Sequence, residues 1–212
     1  MQGFQRLFLC ALGRVRRALK SDRRPCPDDP RGRSFGEIQW SPKPWWCEQF
    51  YQVIRKKRPA RLLEVGTSLG MTGLYVLAAL TRNRHGHFFT IEQAPAKVTY
   101  ARRLFAAFDD TRATCLEGSS TSILPQLLAS EPAFEWVFID IDHRYESTIE
   151  HMALLADHVL PGGLLLFDDI SLNEGMRRAW REIRDHAGFE WTTLHWRNRK
   201  TLEPRVGVGR RR

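Results

Sequence analysis

The feature that most constrains the fold is a regular alternation of strand-like and helical patterns between about residue 40 and residue 208. Short apolar strand patterns occur at 61–65, 87–92, 113–117, 135–141, 164–167, 189–196 and 205–208. Helical patterns occur at 45–57, 70–81, 95–108, 122–130, 146–159 and 172–187. Alternating strands and helices build mostly parallel sheets with helices on both faces. We therefore predict an α/β fold with a central, mostly parallel seven-stranded sheet.

The positive charge of the chain is unevenly distributed. The net charge is +9, but residues 1–24 and residues 197–212 each carry +6, which leaves a body of −3. A surface that follows a phosphate backbone should lie on the folded domain itself, so a nucleic-acid partner is disfavoured. We interpret both ends as solvated or membrane-surface segments, with nucleic-acid arms as the less favoured alternative.

The first 35 residues differ in character from the rest. Residues 4–20 combine apolar positions at helical spacing with arginines on the other side, and residues 21–36 are rich in Pro, Asp, Arg and Gly. We predict a basic amphipathic helix and linker over 1–35 and a single catalytic domain over 36–212. The helix could pack on the domain, contact a membrane surface peripherally or act as a mitochondrial presequence. With four isolated cysteines and no long apolar run, we expect a cytoplasmic location, with membrane-surface association as the alternative.

The turn after the first predicted strand has the composition of a ligand-binding loop. It reads Glu64-Val-Gly66-Thr67-Ser68-Leu-Gly70, and such glycines permit a tight turn close to a ligand. The spacing is Gly-x-x-x-Gly, which disfavours the Gly-x-Gly-x-x-Gly turn of dinucleotide binding. Glu64 offers an acceptor for the ammonium of S-adenosylmethionine (SAM). Glu92, which ends the second strand, can bind both hydroxyls of a ribose.

A family resemblance supports this interpretation. The stretch LLEVGTSLGMTGLYVLAAL, followed by TIE, resembles motifs I and II of the class I SAM-dependent methyltransferases. The resemblance implies a Rossmann-like methyltransferase fold and cofactor contacts from the turn, including Thr67 and Ser68. The segment that begins Gly118-Ser119-Ser120 is similar to the motif that contacts adenine in catechol O-methyltransferase-like enzymes. The same serines could equally cap a helix.

Acidic residues follow the fourth and fifth predicted strands. Asp140, Asp142 and His143 close the fourth strand, and Asp168 and Asp169 close the fifth. Carboxylates brought together at one sheet edge repel each other unless a cation intervenes, and oxygen ligands select Mg²⁺ or Ca²⁺. The alternative is that one aspartate caps a helix or orders a loop.

The stretch VFIDIDHRYEST…LPGGLLLFDDI resembles the metal-dependent O-methyltransferases of the catechol, caffeoyl-CoA and macrolide-sugar types. The resemblance implies Mg²⁺ at Asp140, Asp168 and Asp169, with Asp140 also near the cofactor. His143 stands where catechol-type enzymes carry a catalytic lysine, and Asp142 matches the proposed base of the sugar-modifying branch. Both remain candidates for the base.

The predicted activity is metal-assisted O-methylation of a small-molecule hydroxyl, on a phenol or a sugar. A metal-independent methyltransferase with another acceptor and a non-catalytic SAM-binding protein are the alternatives. We also expect that the chain can form a homo-oligomer. Neither the acceptor nor the oligomeric state follows from the sequence.

Overall fold

The computed structural model describes residues 21–38, 44–198 and 201–212. The predicted helix at residues 4–20 therefore lies outside the described residues. Seven strands form one sheet in the order β3-β2-β1-β4-β5-β7-β6. The strands are β1 (Arg61–Val65), β2 (His87–Glu92), β3 (Ala113–Glu117), β4 (Phe134–Ile139), β5 (Val159–Phe167), β6 (Phe189–Asn198) and β7 (Thr201–Arg211). This confirms the predicted seven-stranded α/β fold.

The described α-helices follow the predicted order, with shifts of up to four residues at their ends, except for a short first helix that was not predicted. They are α1 (Phe35–Ile38), α2 (Pro44–Lys57), α3 (Met71–Asn83), α4 (Pro95–Ala106), α5 (Ser120–Ser130), α6 (Tyr145–Leu155) and α7 (Glu174–Ile183). Two 3₁₀ turns, Asp110–Arg112 and Ala156–His158, precede β3 and β5. None of the helices in the described ranges is long and apolar enough to cross a membrane.

Two predicted elements near the end of the chain needed correction. Pro161, Gly162 and Gly163 lie between the predicted helix, which ends at 159, and the predicted strand, which starts at 164. In the structure β5 already begins at Val159 and runs through them. The interpretation of 197–212 as a charged tail is also wrong. Residues Thr201–Arg211 form β7, which lies between β5 and β6 in the sheet and pairs antiparallel with both.

The chain divides into two compact units. The first contains the described residues up to Arg58 and Thr67–Gly118, and the second contains Pro59–Gly66 and Ser119–Arg212. In the first unit, β2 and β3 pair in parallel, and α3 is buried on nearly all sides. A buried helix of this kind needs apolar residues around its whole circumference, and MTGLYVLAALTRN provides them.

In the second unit, β1, β4 and β5 pair in parallel with aligned ends. Val65 lies opposite Ile139, and Ile139 lies opposite Phe167. On the other side of β5, glycines of β7 leave room for large rings: a Cβ on Gly207 would lie 2.3 Å from the Trp180 ring, and one on Gly209 equally close to Trp191. These two positions of β7 must therefore be glycine, because the tryptophan rings occupy the space that a side chain would need.

Residues 21–38, which include the predicted linker 21–36, are folded in the first unit. Cys26, Ile38 and Leu69 form a buried apolar cluster. The Asp22 carboxylate accepts hydrogen bonds from the Arg24 side chain and, at 3.3 Å, from the Tyr100 hydroxyl on α4. The division of the chain at residue 35 stays a prediction.

Candidate functional site

In the first unit, the turn 67–70 joins β1 to α3 and is held by hydrogen bonds to β2. The Thr67 amide donates to the Ile91 carbonyl at 3.1 Å, and the Thr67 and Thr90 hydroxyls are 2.5 Å apart. Ser68 and Gly70 both have positive φ angles, +49° and +81°. A Cβ on Gly70 would lie 3.0 Å from the Phe105 ring, so the residue also permits close packing against α4.

Glu92 is buried at the end of β2, and its carboxylate has a fixed orientation. One oxygen accepts the Ser68 amide at 2.8 Å and the other accepts the Ala94 amide at 3.0 Å. Each carboxylate oxygen can accept a second hydrogen bond. The side chain can therefore bind two neighbouring hydroxyl donors without reorienting. The Gly118 amide donates to the Glu92 carbonyl at 3.0 Å, which places the start of the predicted adenine motif next to the same residue.

In the second unit, Glu64 is buried within β1, and Gly66 follows the strand. Gly66 has a φ of +102°, and a Cβ there would lie only 1.8 Å from the Asp140 carbonyl oxygen. The Asp140 amide donates to the Val65 carbonyl at 2.8 Å. This close approach of two strand ends explains the glycine by backbone packing within the protein.

The aligned ends of β4 and β5 bring three of the predicted residues together. Ligand atoms of Asp140, His143 and Asp168 all lie within 4.8 Å of one another. His143 Nε2 is 3.4 Å from Asp140 Oδ1 and 3.5 Å from Asp169 Oδ2. His143 has a φ of +57°, a left-handed conformation that is uncommon for residues other than glycine. This conformation is one that tertiary contacts must stabilise.

A residue that the sequence analysis did not assign completes this cluster. The Arg205 guanidinium of β7 lies against both aspartates that follow β5: its Nε is 3.3 Å from Asp168 Oδ1, its Nη2 is 3.5 Å from Asp168 Oδ2, and its Nη1 contacts Asp169 Oδ1. Burial raises the pKa of Asp168 to about 6, and Arg205 opposes this shift. Burial, with a smaller contribution from Arg205, lowers the pKa of His143 below its usual 6.5.

Asp142, the other predicted base, is bound to groups at the start of α6. It accepts hydrogen bonds from the Ser147 hydroxyl and the Arg144 amide, and it lies 3.5 Å from Arg144 Nε. These contacts hold the carboxylate near the N-terminus of the helix, where a negative charge is favourable. Of the two candidates, His143 is the one that points into the buried acidic cluster.

The two predicted serines differ in their surroundings. Ser119 is the N-cap of α5, and its hydroxyl accepts the Ser122 amide at 3.3 Å. Ser120 is 2.7 Å from Nε2 of the buried His151, whose Nδ1 is 2.6 Å from the Ser147 carbonyl. That carbonyl can only accept, so Nδ1 carries a proton, and in the neutral imidazole Nε2 then accepts the Ser120 hydroxyl hydrogen. The Ser120 oxygen keeps its lone pairs for another donor.

Arg205 and His151 are site residues that the sequence analysis missed. Arg205 follows Asp169 by 36 residues in a segment rich in arginine, and His151 lies inside a helical pattern. Each becomes a site residue only through pairing or packing with residues distant in the chain. A histidine on the buried face of α6 was the one available hint.

The sequence of this chain matches a known protein family. The sequence profile of the family described as "Methyltransferase domain" matches residues 63–170. This is half of the chain and includes the turn, Glu92 and the acidic residues after β4 and β5. The chain belongs to the methyltransferase-domain family, which confirms the class predicted from its motifs.

Among characterised sequences, the chain is 28% identical over 147 residues to the "Transmembrane O-methyltransferase" of Propithecus coquereli, covering 68% of this chain and 53% of the relative. The chain therefore spans about half the length of the curated relatives it matches.

Two solved structures share the fold. An O-methyltransferase from Bacillus cereus, in complex with SAH, has a TM-score of 0.71 at 17% identity, covering 96% of this chain and 90% of the other. TomG from Streptomyces achromogenes, an O-methyltransferase involved in tomaymycin synthesis and in complex with SAM, has a TM-score of 0.70 at 19% identity, covering 81% and 82%. At these identities the similarity establishes the fold.

Proposed function

We propose that this chain catalyses methyl transfer from SAM to the hydroxyl group of a small molecule. The observation that carries this proposal is the methyltransferase-domain match over residues 63–170, which contains Glu92 with its two fixed carboxylate oxygens. The names of the sequence relatives support oxygen as the methyl acceptor. The small size of the acceptor is a sequence-based prediction that we keep as part of this proposal.

The cofactor assignments follow from the individual residues. Glu92 would accept both ribose hydroxyls, because each of its oxygens holds one backbone amide and keeps capacity for one more donor. Ser120 would accept a hydrogen bond from the adenine side, since its own proton is directed at His151. Glu64, Gly66, Thr67, Ser68, Gly70, Gly118, Ser119 and Asp140 keep their predicted cofactor roles as part of this proposal.

SAM, when bound, supplies an electrophilic methyl carbon, so the protein must deprotonate and orient the acceptor. We assign the base to His143 Nε2, which makes no hydrogen bond to the described residues and is neutral at pH 7 because burial lowers its pKa. It would take the hydroxyl proton while the acceptor oxygen replaces the sulfur of SAM on the methyl carbon, so that S-adenosylhomocysteine is the leaving group. Asp142 is less suited, because Ser147 and Arg144 occupy its carboxylate.

The predicted Mg²⁺ site can be compared with the donor atoms at the ends of β4 and β5. The donor atoms of Asp140, His143 and Asp168 are close enough to share an ion. The predicted set of Asp140, Asp168 and Asp169 does not fit, because Arg205 already lies against both aspartates that follow β5. We derive no catalytic step through a metal ion.

The cofactor proposal has a matched test. Glu92→Gln removes one carboxylate acceptor, so calorimetry should show SAM binding weakened at least about tenfold, as for the loss of a charge-assisted hydrogen bond. Glu117→Gln is the control, because Glu117 lies opposite Glu92 at the end of β3 but is exposed and paired with Arg102. Absence of SAM binding by the unaltered protein would refute the proposal.

Membrane contact through residues 4–20, homo-oligomer formation and a cytoplasmic location stay predictions. A deletion that tests the first should end at residue 20, because Asp22 and Arg24 take part in contacts with α4. Loss of binding to anionic vesicles would support membrane contact, whereas unchanged binding with a lower Tm would support a packing role.

A further inference from the structure

The most unusual feature of the acidic cluster is that it contains its own cation. Arg205 belongs to β7, the antiparallel strand next to β5. The Ile170 amide donates to the Arg205 carbonyl at 3.2 Å, so the backbone around Arg205 is tied to the loop that carries Asp168 and Asp169. The position of the guanidinium is thus fixed by strand pairing as well as by its side-chain contacts.

The contacts of Arg205 involve both neighbouring carboxylates. Nε and Nη2 lie 3.3 and 3.5 Å from the two oxygens of Asp168, and Nη1 contacts Asp169 Oδ1. The Asp168 and Asp169 side chains are only 6% and 12% exposed, whereas Arg205 is 32% exposed. The contact between Nη2 and Asp168 Oδ2 is a hydrogen bond, and the other two are ion-pair contacts, so one guanidinium charge faces both carboxylates.

Two adjacent buried carboxylates require a compensating positive charge. A divalent ion could supply it, but an ion bound to Asp168 and Asp169 would compete with Arg205 for the same oxygens. We propose that Arg205 is the resident cation of this cluster and occupies the place that the predicted divalent ion would take. For its consequence on activity, this inference rests on the proposed methyl transfer: turnover should not require an added metal.

Metal binding provides a test that does not depend on turnover. Mn²⁺ titrations followed by electron paramagnetic resonance would compare the unaltered protein with Arg205→Met, Arg205→Lys and Arg210→Met. Arg210 is the control, because it is on the same strand but pairs with Glu190 at the surface. We expect Arg205→Met to bind Mn²⁺ at least about tenfold more tightly than the unaltered protein. Arg205→Lys, which keeps the charge, and Arg210→Met should both bind as weakly as the unaltered protein.

A second arm measures methyl transfer with EDTA and with Mn²⁺. The unaltered protein should keep its rate in EDTA, and Arg205→Met should lose activity in EDTA and regain it with Mn²⁺. Tight Mn²⁺ binding by the unaltered protein would overturn the inference. A folded Arg205→Met variant whose Mn²⁺ affinity is no higher than that of the unaltered protein would also overturn it. The double variant Arg205→Met/Asp168→Asn should lose the Mn²⁺ affinity that Arg205→Met gains.

SAM binding is measured separately for the unaltered protein. If SAM binds but the Mn²⁺ results differ from those expected, this inference fails while the proposed function stands.

Discussion

His143 and Asp142 are adjacent in sequence but have different surroundings in the structure. The His143 ring is largely buried beside Asp140 and Asp169, whereas Asp142 accepts hydrogen bonds at the start of α6. The motif alone left both open as the base. In the structure His143 is the candidate that lies at the cluster, where its backbone has a positive φ.

Replacing His143 should identify the base. We expect His143→Gln to lower kcat by about 100-fold or more, the usual contribution of a general base. Since the pKa of His143 is lowered, the rate of the unaltered protein should fall only as the pH drops below 6.5, where the imidazole becomes protonated. The variant should lose this acidic limb in a profile of kcat against pH. Asp142→Asn should retain it, and the reverse result would assign the base to Asp142.

Gly66 tests how closely the strand ends approach. In Gly66→Ala the new Cβ would meet the Asp140 carbonyl at 1.8 Å, so we expect a loss of more than about 3 kcal/mol or failure to fold. Gly162→Ala is the control, because Gly162 also has a positive φ but nothing lies within 4 Å of its Cβ position. That variant should cost about 1 kcal/mol in urea unfolding. Equal costs would mean that backbone conformation, not the contact, requires glycine at 66.

At the scale of elements, the agreement between sequence and structure depends on how local each signal is. The helical periodicities and the strands β1 to β4 lie within a few residues of their predicted positions, because burial of one face or of both faces leaves a direct pattern in the sequence. The elements from 159 onward shifted most. There, β5 includes a proline and two glycines, and β7 contains three arginines and therefore resembles a charged tail.

The segment 21–38 provides a prediction at this scale. The Arg24 hydrogen bond holds the pKa of Asp22 at about 2, below its ordinary 3.8. A lowered folded-state pKa adds stability above pH 4 that is lost as the pH falls from 4 to 2. We expect Asp22→Asn to remove up to about 1 kcal/mol at neutral pH, since Arg24 is solvent-exposed, and to flatten this acid dependence in urea unfolding.

The control for this pair is Asp157→Asn. Asp157 forms an ion pair with Arg211 at 3.1 Å, but its side chain is 87% exposed. A surface pair of this kind contributes little, so the variant should keep the acid dependence of the unaltered protein. If both variants lost the acid dependence of the free energy of unfolding, the contact of Asp22 would not be what stabilises segment 21–38.

For the whole molecule, the proposed cofactor should stabilise the fold. SAM at 100 times its Kd would add about 2.7 kcal/mol, which in a domain of this size raises Tm by roughly 5–10 °C. Thermal unfolding followed by circular dichroism, with and without SAM, measures this shift. Glu92→Gln should show a clearly smaller shift at the same SAM concentration, and Glu117→Gln the full one. No shift in the unaltered protein would contradict SAM binding.

The sequence by itself determined the α/β class, the order of strands and helices, and the strand ends that carry polar residues. These features are recorded locally, in apolar periodicity and in glycine and aspartate positions next to each strand. Only the tertiary structure decided that β7 lies next to β5, that Arg205 therefore reaches Asp168 and Asp169, and that His143 rather than Asp142 joins them. Pairing between distant strands depends on how the whole sheet is packed, and no window of the sequence contains that information.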